Sequence, residues 1–317
     1  MDEKRPKAVI FGATGVIGSA FAHILSRSHD LRLVSPSARS IPWTLDEFVP
    51  EQIACDLDVS MDSYVVSDAD LIVFSSVPND QNKNSLQNLV STAQTRVTRV
   101  LEAINRQGCS PKIIHISTAQ VYGQGLRGGV DEDTPAAPSN GYGMMHLAAE
   151  FTVEELAHKY GLELQIVRPS NVFDEFLFPT ISRDTLVPYC FVKDCIERQE
   201  IKLLSSGSQL RNFVLARDLA KKSIDLSQDS RIRRVNIGAF GAMSIYEMAC
   251  MTASAYKAVT GQACEINRPR DDDSPEILPL DYKSKVGGTV MVENYAAQLE
   301  QALRLMIEIR GKEYGNG

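Results

Sequence analysis

The chain has 317 residues, of which 44% are hydrophobic and 23% are charged, a composition typical of a soluble globular protein. Its net charge of −7 argues against nucleic acid or an anionic membrane as the main partner, because both require a basic footprint. The six cysteines form no CxxC pair and no metal-ligand cluster, so no metal site is expected. We expect a cytoplasmic protein, because the sequence shows no signal peptide and no apolar run of membrane-spanning length.

Short apolar runs alternate with amphipathic stretches through the first half of the chain. The apolar runs predict strands at Lys7–Gly12, Leu31–Ser35, Gln52–Cys55, Asp70–Ser76, Lys112–Ser117 and Leu164–Pro169. The amphipathic stretches predict helices at Val16–Ser26, Asn84–Gln107 and Tyr142–Lys159. Continuous apolar runs indicate strands that are covered on both faces. Their alternation with helices therefore predicts an α/β fold with a Rossmann-type, doubly wound parallel sheet.

After Pro169 the pattern becomes less regular. It predicts strands at Ile201–Leu204 and Val235–Ile237, helices at Asp218–Leu226 and Ser244–Thr260, and a frayed tail after Arg310. We interpret residues 1–170 as a dinucleotide-binding domain. Residues 171–317 are expected to form mainly a smaller C-terminal α/β substrate lobe, with the chain free to cross back between the two.

A glycine-rich segment, GATGVIGS, joins the first predicted strand to the first predicted helix. Gly12, Gly15 and Gly18 would allow a tight turn and the close approach of a pyrophosphate to the backbone. The N–H groups at the start of the helix would face that anion. The strand–loop–helix context is the one that such a motif requires, so the segment predicts a dinucleotide site.

Further motifs follow in a fixed order along the chain. They are CDL (Cys55–Leu57), STAQVYG (Ser117–Gly123), YGMMH (Tyr142–His146), RPSNVF (Arg168–Phe173), RNFVLARDLA (Arg211–Ala220) and INRPRD (Ile266–Asp271). Together with the GxxGxxG spacing, this order resembles extended short-chain dehydrogenase/reductases, the NAD-dependent epimerase/dehydratase family that modifies nucleotide sugars. The resemblance extends over about residues 7 to 290.

The resemblance implies a role for individual positions. Catalytic residues would be Thr118, Tyr142 and His146, with Thr118 beside the substrate carbonyl. Substrate contacts would come from Thr118, Asn171, Arg211 and Arg268, with the arginines on nucleotide phosphates. Cofactor contacts would come from Gly12, Thr14, Gly15, Val16, Ile17, Gly18, Ser35, Arg39, Asp56, Leu57, Ser75, Tyr142 and His146. The resemblance also implies a nucleotide-sugar substrate and a homodimer formed through the helices Asn84–Gln107 and Tyr142–Lys159.

The end of the second predicted strand bears on the choice of cofactor. An acidic residue there would bond the ribose hydroxyls of NAD and repel the 2′-phosphate of NADP. The segment Leu33–Ser40 has no acidic residue and instead offers Ser35, Ser37 and Arg39. This pattern favours NADP, with NAD as the alternative.

His146 stands where the resemblance implies a lysine, four residues after Tyr142. The lysine charge would lower the tyrosine pKa from its ordinary value of about 10, which helps an enzyme that begins by oxidising a sugar. Histidine is mostly neutral at pH 7, so a protonated Tyr142 that donates to a ketone is favoured. Ala119 and Gln120 replace the Asp-Glu pair of the family's 4,6-dehydratases and argue against that reaction.

Three functions remain open from the sequence. The first is a keto-sugar reductase that uses NADPH, with Tyr142 as the proton donor. The second is an epimerase that keeps NAD tightly bound. The third is a non-catalytic nucleotide-binding protein in which His146 marks the loss of activity.

Overall fold

A computed structural model describes residues 5–36, 50–76, 78, 85–123, 125–175, 186–269 and 279–314. Within these residues, eight strands form one sheet in which every pair of neighbours is parallel. The strands are β1 (Lys7–Phe11), β2 (Asp30–Ser35), β3 (Glu51–Ala54), β4 (Leu71–Phe74), β5 (Lys112–Ile116), β7 (Leu164–Pro169), β12 (Arg234–Ala239) and β16 (Thr289–Val290).

The order of the strands reverses at β1. The sheet runs β16-β12-β7-β5-β4-β1-β2-β3, so β1 lies between β2 and β4. In this register Phe11 lies opposite Val34 on one side and Phe74 on the other. Chain connections leave the two sides of β1 in opposite directions, which opens a crevice at the carboxyl ends of the strands.

Helices cover both faces of the sheet, as the continuous apolar strands predict. The described helices are α1 (Val16–Leu25), α2 (Leu86–Gln107), α3 (Gly141–Tyr160), α4 (Val187–Arg198), α5 (Ala216–Ser227), α6 (Ile245–Thr260) and α7 (Tyr295–Tyr314). On one face, Phe21 of α1 and Leu219 of α5 pack over Ile10 of β1. On the other face, Val97 of α2 and Val153 of α3 lie in the cluster that contains Phe11. The Rossmann-type, doubly wound parallel sheet is therefore confirmed.

Smaller paired strands complete the described chain. They are β6 (Gly128–Val130) with β15 (Leu280–Tyr282), β8 (Asn171–Phe173) with β11 (Phe213–Leu215), β9 (Glu200–Lys202) with β14 (Glu265–Asn267), and β10 (Leu210–Arg211) with β13 (Met243–Ser244). Strands β12 and β16 pair within the main sheet although they follow residue 170. The division of the chain into two domains near that residue stays a prediction.

Two helices depart from the sequence prediction. Helix α4 was not predicted, and α7 continues to Tyr314 although a frayed tail was predicted after Arg310. The reason is tertiary packing, because Leu303 and Met306 of α7 are fully buried against a cluster that includes Tyr189 of α4. This burial outweighs the low helix propensity of Gly311. No described helix combines the length and apolarity needed to cross a membrane.

Candidate active site

The glycine loop lies at the carboxyl end of β1, beside the end of β4. Gly12 has a left-handed backbone, with φ of +78°, and a Cβ on it would lie 2.8 Å from the carbonyl oxygen of Ser75. A Cβ on Gly18 would lie only 2.2 Å from the carbonyl oxygen of Gly12. Both positions therefore require glycine, and the loop folds back tightly against the start of α1.

The start of α1 presents backbone donors at the crevice. Gly15 is the N-cap, and within the described residues no side chain caps the helix and no acidic residue occupies its first turn. Thr14 lies in the turn before it, and Val16 and Ile17 are the first two helical residues. Such a helix terminus favours an anion, because its N–H groups lack intrahelical acceptors.

Other predicted cofactor residues lie at neighbouring strand ends. Ser75 follows β4 and donates its hydroxyl to the carbonyl of Phe11 at 2.8 Å. Ser35 is buried at the end of β2, where its carbonyl accepts a hydrogen bond from the backbone of Cys55. The structure thus brings these ends to one edge of the sheet. Ser37 and Arg39, on which the NADP preference partly depends, lie outside the described residues.

Asp56 and Leu57 follow β3 in a tight turn. The Asp56 carboxylate accepts a hydrogen bond from the backbone of Asp58 at 2.9 Å, while its side chain is exposed to solvent. Leu57 is buried, and its carbonyl accepts a hydrogen bond from Arg99 of α2. Asp56 therefore shapes the turn, and its carboxylate faces solvent beside the sheet edge.

The start of α3 is held against the turn that follows β5. Asn140 caps the helix by accepting a hydrogen bond from the backbone of Gly143 at 2.7 Å, and its amide donates to the side chain of Gln120 at 2.9 Å. A Cβ on Gly143 would lie 2.4 Å from the carbonyl oxygen of Gln120, so the two segments are in close backbone contact. Thr118 caps that turn and Tyr142 is the second residue of the helix, which places two of the three predicted catalytic residues at this junction.

His146 lies one helical turn beyond Tyr142 on the same face of α3. The two ring centroids are 4.5 Å apart in an edge-to-face arrangement. The imidazole is 2% exposed, and neither ring nitrogen has a hydrogen-bond partner among the residues that the structure describes. Burial, together with the nearby His115, lowers the pKa of His146 to about 3. The imidazole is therefore neutral at physiological pH.

His115 was not singled out by the sequence prediction, yet it lies close enough to His146 to lower the pKa of that residue. It is the fourth residue of β5, is fully buried, and stacks on Phe74 with ring centroids 5.6 Å apart. Burial lowers its pKa to about 4, and in the described part of the chain neither of its ring nitrogens has a partner. The feature of the sequence that could have identified His115 is its position within an apolar strand, where a polar side chain becomes buried.

A buried ion pair supports the same region and was also missed. Arg168 of β7 binds Glu150 of α3 through two hydrogen bonds, at 2.9 and 2.6 Å. The hydroxyl of Ser117 donates to the same carboxylate at 2.5 Å. Glu150 lies two turns after Tyr142, so this ion pair fixes α3 against β5 and β7. The arginine of the RPSNVF motif was the feature of the sequence that could have indicated this ion pair.

The predicted substrate residues lie near the strand ends beyond β7. Asn171 begins β8, and its side-chain amide donates to the carbonyl of Asn212 at 2.8 Å. Asn212 is buried, and its own amide donates to the carbonyls of Ala239 and Gly241, both at 2.6 Å. Asn171 is exposed at the start of β8. Asn212, in contrast, links the start of β11 to the end of β12.

Arg211 and Arg268 converge on the start of α6. Arg211 lies opposite Met243 in the short sheet that leads into this helix. The guanidinium of Arg268 lies 3.6 Å above the ring of Tyr246 and donates to the carbonyl of Ser206 at 3.1 Å. Burial lowers the pKa of Arg211, which still remains charged at neutral pH. Both arginines therefore lie near the start of α6, whose N-terminus is itself capped by Ser244 and Glu247.

Comparison with known proteins places these residues in a family. Residues 8–238 match the NAD dependent epimerase/dehydratase family. The human dTDP-D-glucose 4,6-dehydratase is 29% identical over 153 residues, which cover 48% of this chain and 42% of that protein. A putative UDP-glucose 4-epimerase from Methanocaldococcus jannaschii is 27% identical over 169 residues, covering 52% of this chain and 54% of that protein. The chain spans about half the length of the curated relatives it matches.

Solved structures show the same fold over nearly the whole chain. The UDP-N-acetylglucosamine 4-epimerase from Methanobrevibacter ruminantium M1 superposes with a TM-score of 0.79 at 16% identity, covering 98% of this chain and 100% of that one. MoeE5, solved with UDP-glucose and NAD, has a TM-score of 0.74 at 20% identity, with 97% and 99% covered. The order of the motifs, the parallel sheet and the region matched by the family all support the same assignment. The chain belongs to the NAD dependent epimerase/dehydratase family.

Proposed function

We propose that the protein is an NAD(P)-dependent reductase that acts on a keto-sugar carried by a nucleoside diphosphate. The observation that carries this proposal is the environment of His146, which is fully buried with a pKa of about 3. A neutral imidazole adds no positive charge beside Tyr142. The protonated tyrosine is therefore favoured, and this is the form that a ketone reductase needs.

The residues at the crevice fit a dinucleotide. The glycine loop has no space for side chains at Gly12 and Gly18, and the uncapped start of α1 suits a pyrophosphate. His146 offers a buried ring nitrogen without a partner among the described residues, which a ribose hydroxyl would satisfy. Ser35, Asp56, Leu57 and Ser75 would complete the site at the neighbouring strand ends. When bound, a reduced nicotinamide would supply a hydride to the substrate carbonyl carbon.

The roles of the side chains follow from their positions. Tyr142 would donate its phenolic proton to the alkoxide as it forms. The Thr118 hydroxyl would hold the carbonyl oxygen, and the residue is 8% exposed at the junction with α3. His146 would position the ribose as a neutral hydrogen-bonding group. Ala119 lacks an ionisable group and the Gln120 amide is bonded to Asn140, so neither can provide the acid and base of an elimination.

The substrate would extend from Thr118 towards the two arginines. Asn171 would contact its pyrophosphate, with Arg211 and Arg268 as phosphate ligands near the start of α6. MoeE5 and a Bacillus cereus UDP-glucuronic acid 4-epimerase were solved with UDP sugars and NAD, which supports a nucleotide-sugar substrate. We propose NADP over NAD mainly because the segment Leu33–Ser40 lacks an acidic residue. A homodimer through α2 and α3 likewise stays a proposal.

An epimerase with tightly bound NAD is the second candidate. It is favoured by the epimerases among the relatives and structural neighbours of the chain. The two candidates differ in what each turnover consumes, because an epimerase returns the hydride to its substrate and a reductase does not.

The cofactor content of the purified protein tests the proposal. The protein would be denatured, and any released dinucleotide would be identified by chromatography. We expect no stoichiometric NAD, and we expect a higher Tm with NADPH than with NADH. Stoichiometric NAD would favour the epimerase. A protein that is empty and is stabilised by neither cofactor would indicate a lost activity.

A further inference from the structure

Two cysteines that are 69 residues apart in the chain meet in the structure. The Sγ atoms of Cys195 and Cys264 are 2.9 Å apart. Cys195 lies on α4 and is fully buried, whereas Cys264 lies just before β14 and is half-buried. Cys264 is thus the more exposed residue of the pair, and the sulfur of buried Cys195 lies against its sulfur.

Backbone hydrogen bonds hold the two segments in register. Gln199 ends α4 by donating its N–H to the carbonyl of Cys195 at 3.1 Å, and its own carbonyl accepts from Glu265 at 2.9 Å. Strand β14 then continues in parallel with β9, so that Glu265 lies opposite Glu200. Cys264 directly precedes Glu265 in the chain, and the carbonyl of Cys195 accepts the hydrogen bond from Gln199. The contact between the two sulfurs is therefore a fixed feature of the fold.

We propose that Cys195 and Cys264 form an oxidisable dithiol, which closes to an intramolecular disulfide on reaction with a low-molecular-weight disulfide such as glutathione disulfide. This site lies outside the proposed active site and does not depend on its chemistry. The half-buried thiol is accessible to the oxidant, and the buried thiol is positioned to resolve the mixed disulfide.

The exchange occurs in two balanced steps. The Cys264 thiolate attacks one sulfur of glutathione disulfide, whose S–S bond breaks and releases one glutathione, which takes up the proton. The Cys195 sulfur, after losing its proton, attacks the Cys264 sulfur and displaces the second glutathione. Two protein thiols are oxidised, and one glutathione disulfide is reduced to two thiols.

Closure would tether α4 to the strand that leads to Arg268. The bond would join two cysteines that are 69 residues apart in the chain, which restricts the unfolded state. We expect the Tm of the oxidised protein to rise by about 5 °C. The tether would also fix the strand from which Arg268 extends, only four residues after Cys264.

Thiol counting on the full chain tests the proposal. The protein would be incubated with glutathione disulfide at mildly alkaline pH, because burial raises the pKa of both thiols and slows exchange at neutral pH. Denaturation in N-ethylmaleimide followed by mass spectrometry would count the free thiols. We expect the count to fall by two from the six of the reduced chain, with a cross-linked peptide pair that contains Cys195 and Cys264. Dithiothreitol should restore all six.

Variants separate closure from simple adduct formation. Cys195→Ser should keep a glutathione adduct on Cys264, because the resolving thiol is gone. Cys250→Ser removes an exposed thiol of α6 and should close as the wild type does. If Cys195→Ser does not fold, the wild-type peptide map decides alone. Six free thiols, a persistent glutathione adduct on Cys264 in the wild type, or a cross-link between other cysteines would overturn the proposal.

Discussion

The chemistry proposed for the site depends on one residue, His146. A lysine at this position would carry a charge, whereas the buried imidazole is neutral, with a pKa of about 3. The sequence identified the substitution and its neutral state at pH 7 from the reference pKa alone. It could not show how far burial and His115 lower that pKa, because His115 lies 31 positions away on β5. Such a distant neighbour becomes visible only in the folded chain.

A first prediction concerns the charge at position 146. If a ketone substrate is reduced, kcat/KM for the wild type should stay level from about pH 5 to 8, because His146 does not titrate there. In His146→Lys the added charge should lower the pKa of Tyr142, so that activity falls at a pH roughly one unit lower than in the wild type. The neutral variant His146→Gln serves as the control and should keep the wild-type profile. An inflection near the ordinary histidine pKa in the wild type would contradict a neutral His146.

The glycine loop provides a second prediction at the residue scale. Gly18→Ala places a Cβ 2.2 Å from the carbonyl oxygen of Gly12, so the backbone must shift. We expect a loss of about 2 kcal/mol in the free energy of unfolding, measured by denaturant titration, and weaker dinucleotide binding. Gly311→Ala is the matched control, because no described atom lies within 4 Å of its added Cβ. That change should be neutral or stabilise the helix by about 1 kcal/mol. Equal changes in the free energy of unfolding for the two substitutions would show that the loop can accommodate a side chain at position 18.

Among the elements, α3 carries most of the proposed chemistry. Tyr142, His146 and Glu150 recur every four residues along it, so they occupy one face directed at β5 and β7. The sequence predicted this helix and its first catalytic residue from the YGMMH motif. The Glu150–Arg168 ion pair that anchors it was not predicted, because its partners come from different elements. Likewise, α4 and α7 were missed because their stability depends on mutual packing.

The cap of α3 gives a prediction at this scale. Asn140→Ala removes both the bond from the Gly143 backbone and the bond to Gln120. We expect a loss of about 1 kcal/mol in the free energy of unfolding and a fall in kcat/KM of at least about tenfold, because Tyr142 shifts relative to Thr118. Asn140→Asp retains the capping oxygen and loses only the amide donor. It should therefore recover most of the stability, and full activity in Asn140→Ala would refute the positioning role.

For the whole molecule, the strand order brings the glycine loop, Ser35, Ser75 and Thr118 to one edge of the sheet. The parallel sheet was predictable because buried strands read as continuous apolar runs. The motif order then identified the strand ends that carry chemistry. The substrate side was less predictable, since Asn212, Tyr246 and the turn at Ser206 act through contacts between distant segments. The segments 37–49, 176–185 and 270–278 lie outside the described residues.

The buried histidines predict how the stability of the whole molecule depends on pH. The folded-state pKa of His115 is about 4, below the ordinary value of 6.5, so the unfolded state binds more protons between these values. Stability is therefore present above pH 6.5 and is lost as the pH falls towards 4. His115→Phe removes this dependence and keeps an aromatic ring beside Phe74. From pH 7.5 to 5.5 the wild type should lose about 1.4 kcal/mol more unfolding free energy than the variant. Parallel pH curves for the two proteins would contradict a neutral, buried His115.

The central claim is that Tyr142 donates a proton while a reduced nicotinamide is consumed in each turnover. The most direct measurement follows the loss of nicotinamide absorbance in the wild type and in Tyr142→Phe, with nucleoside-diphosphate keto-sugars as substrates. Thermal shift with NADPH and NADH would confirm that both proteins bind the cofactor. We predict stoichiometric consumption and a reduced sugar product for the wild type, and no turnover for the variant. Turnover by Tyr142→Phe, or sugar conversion by the wild type without net consumption of reductant, would contradict the account.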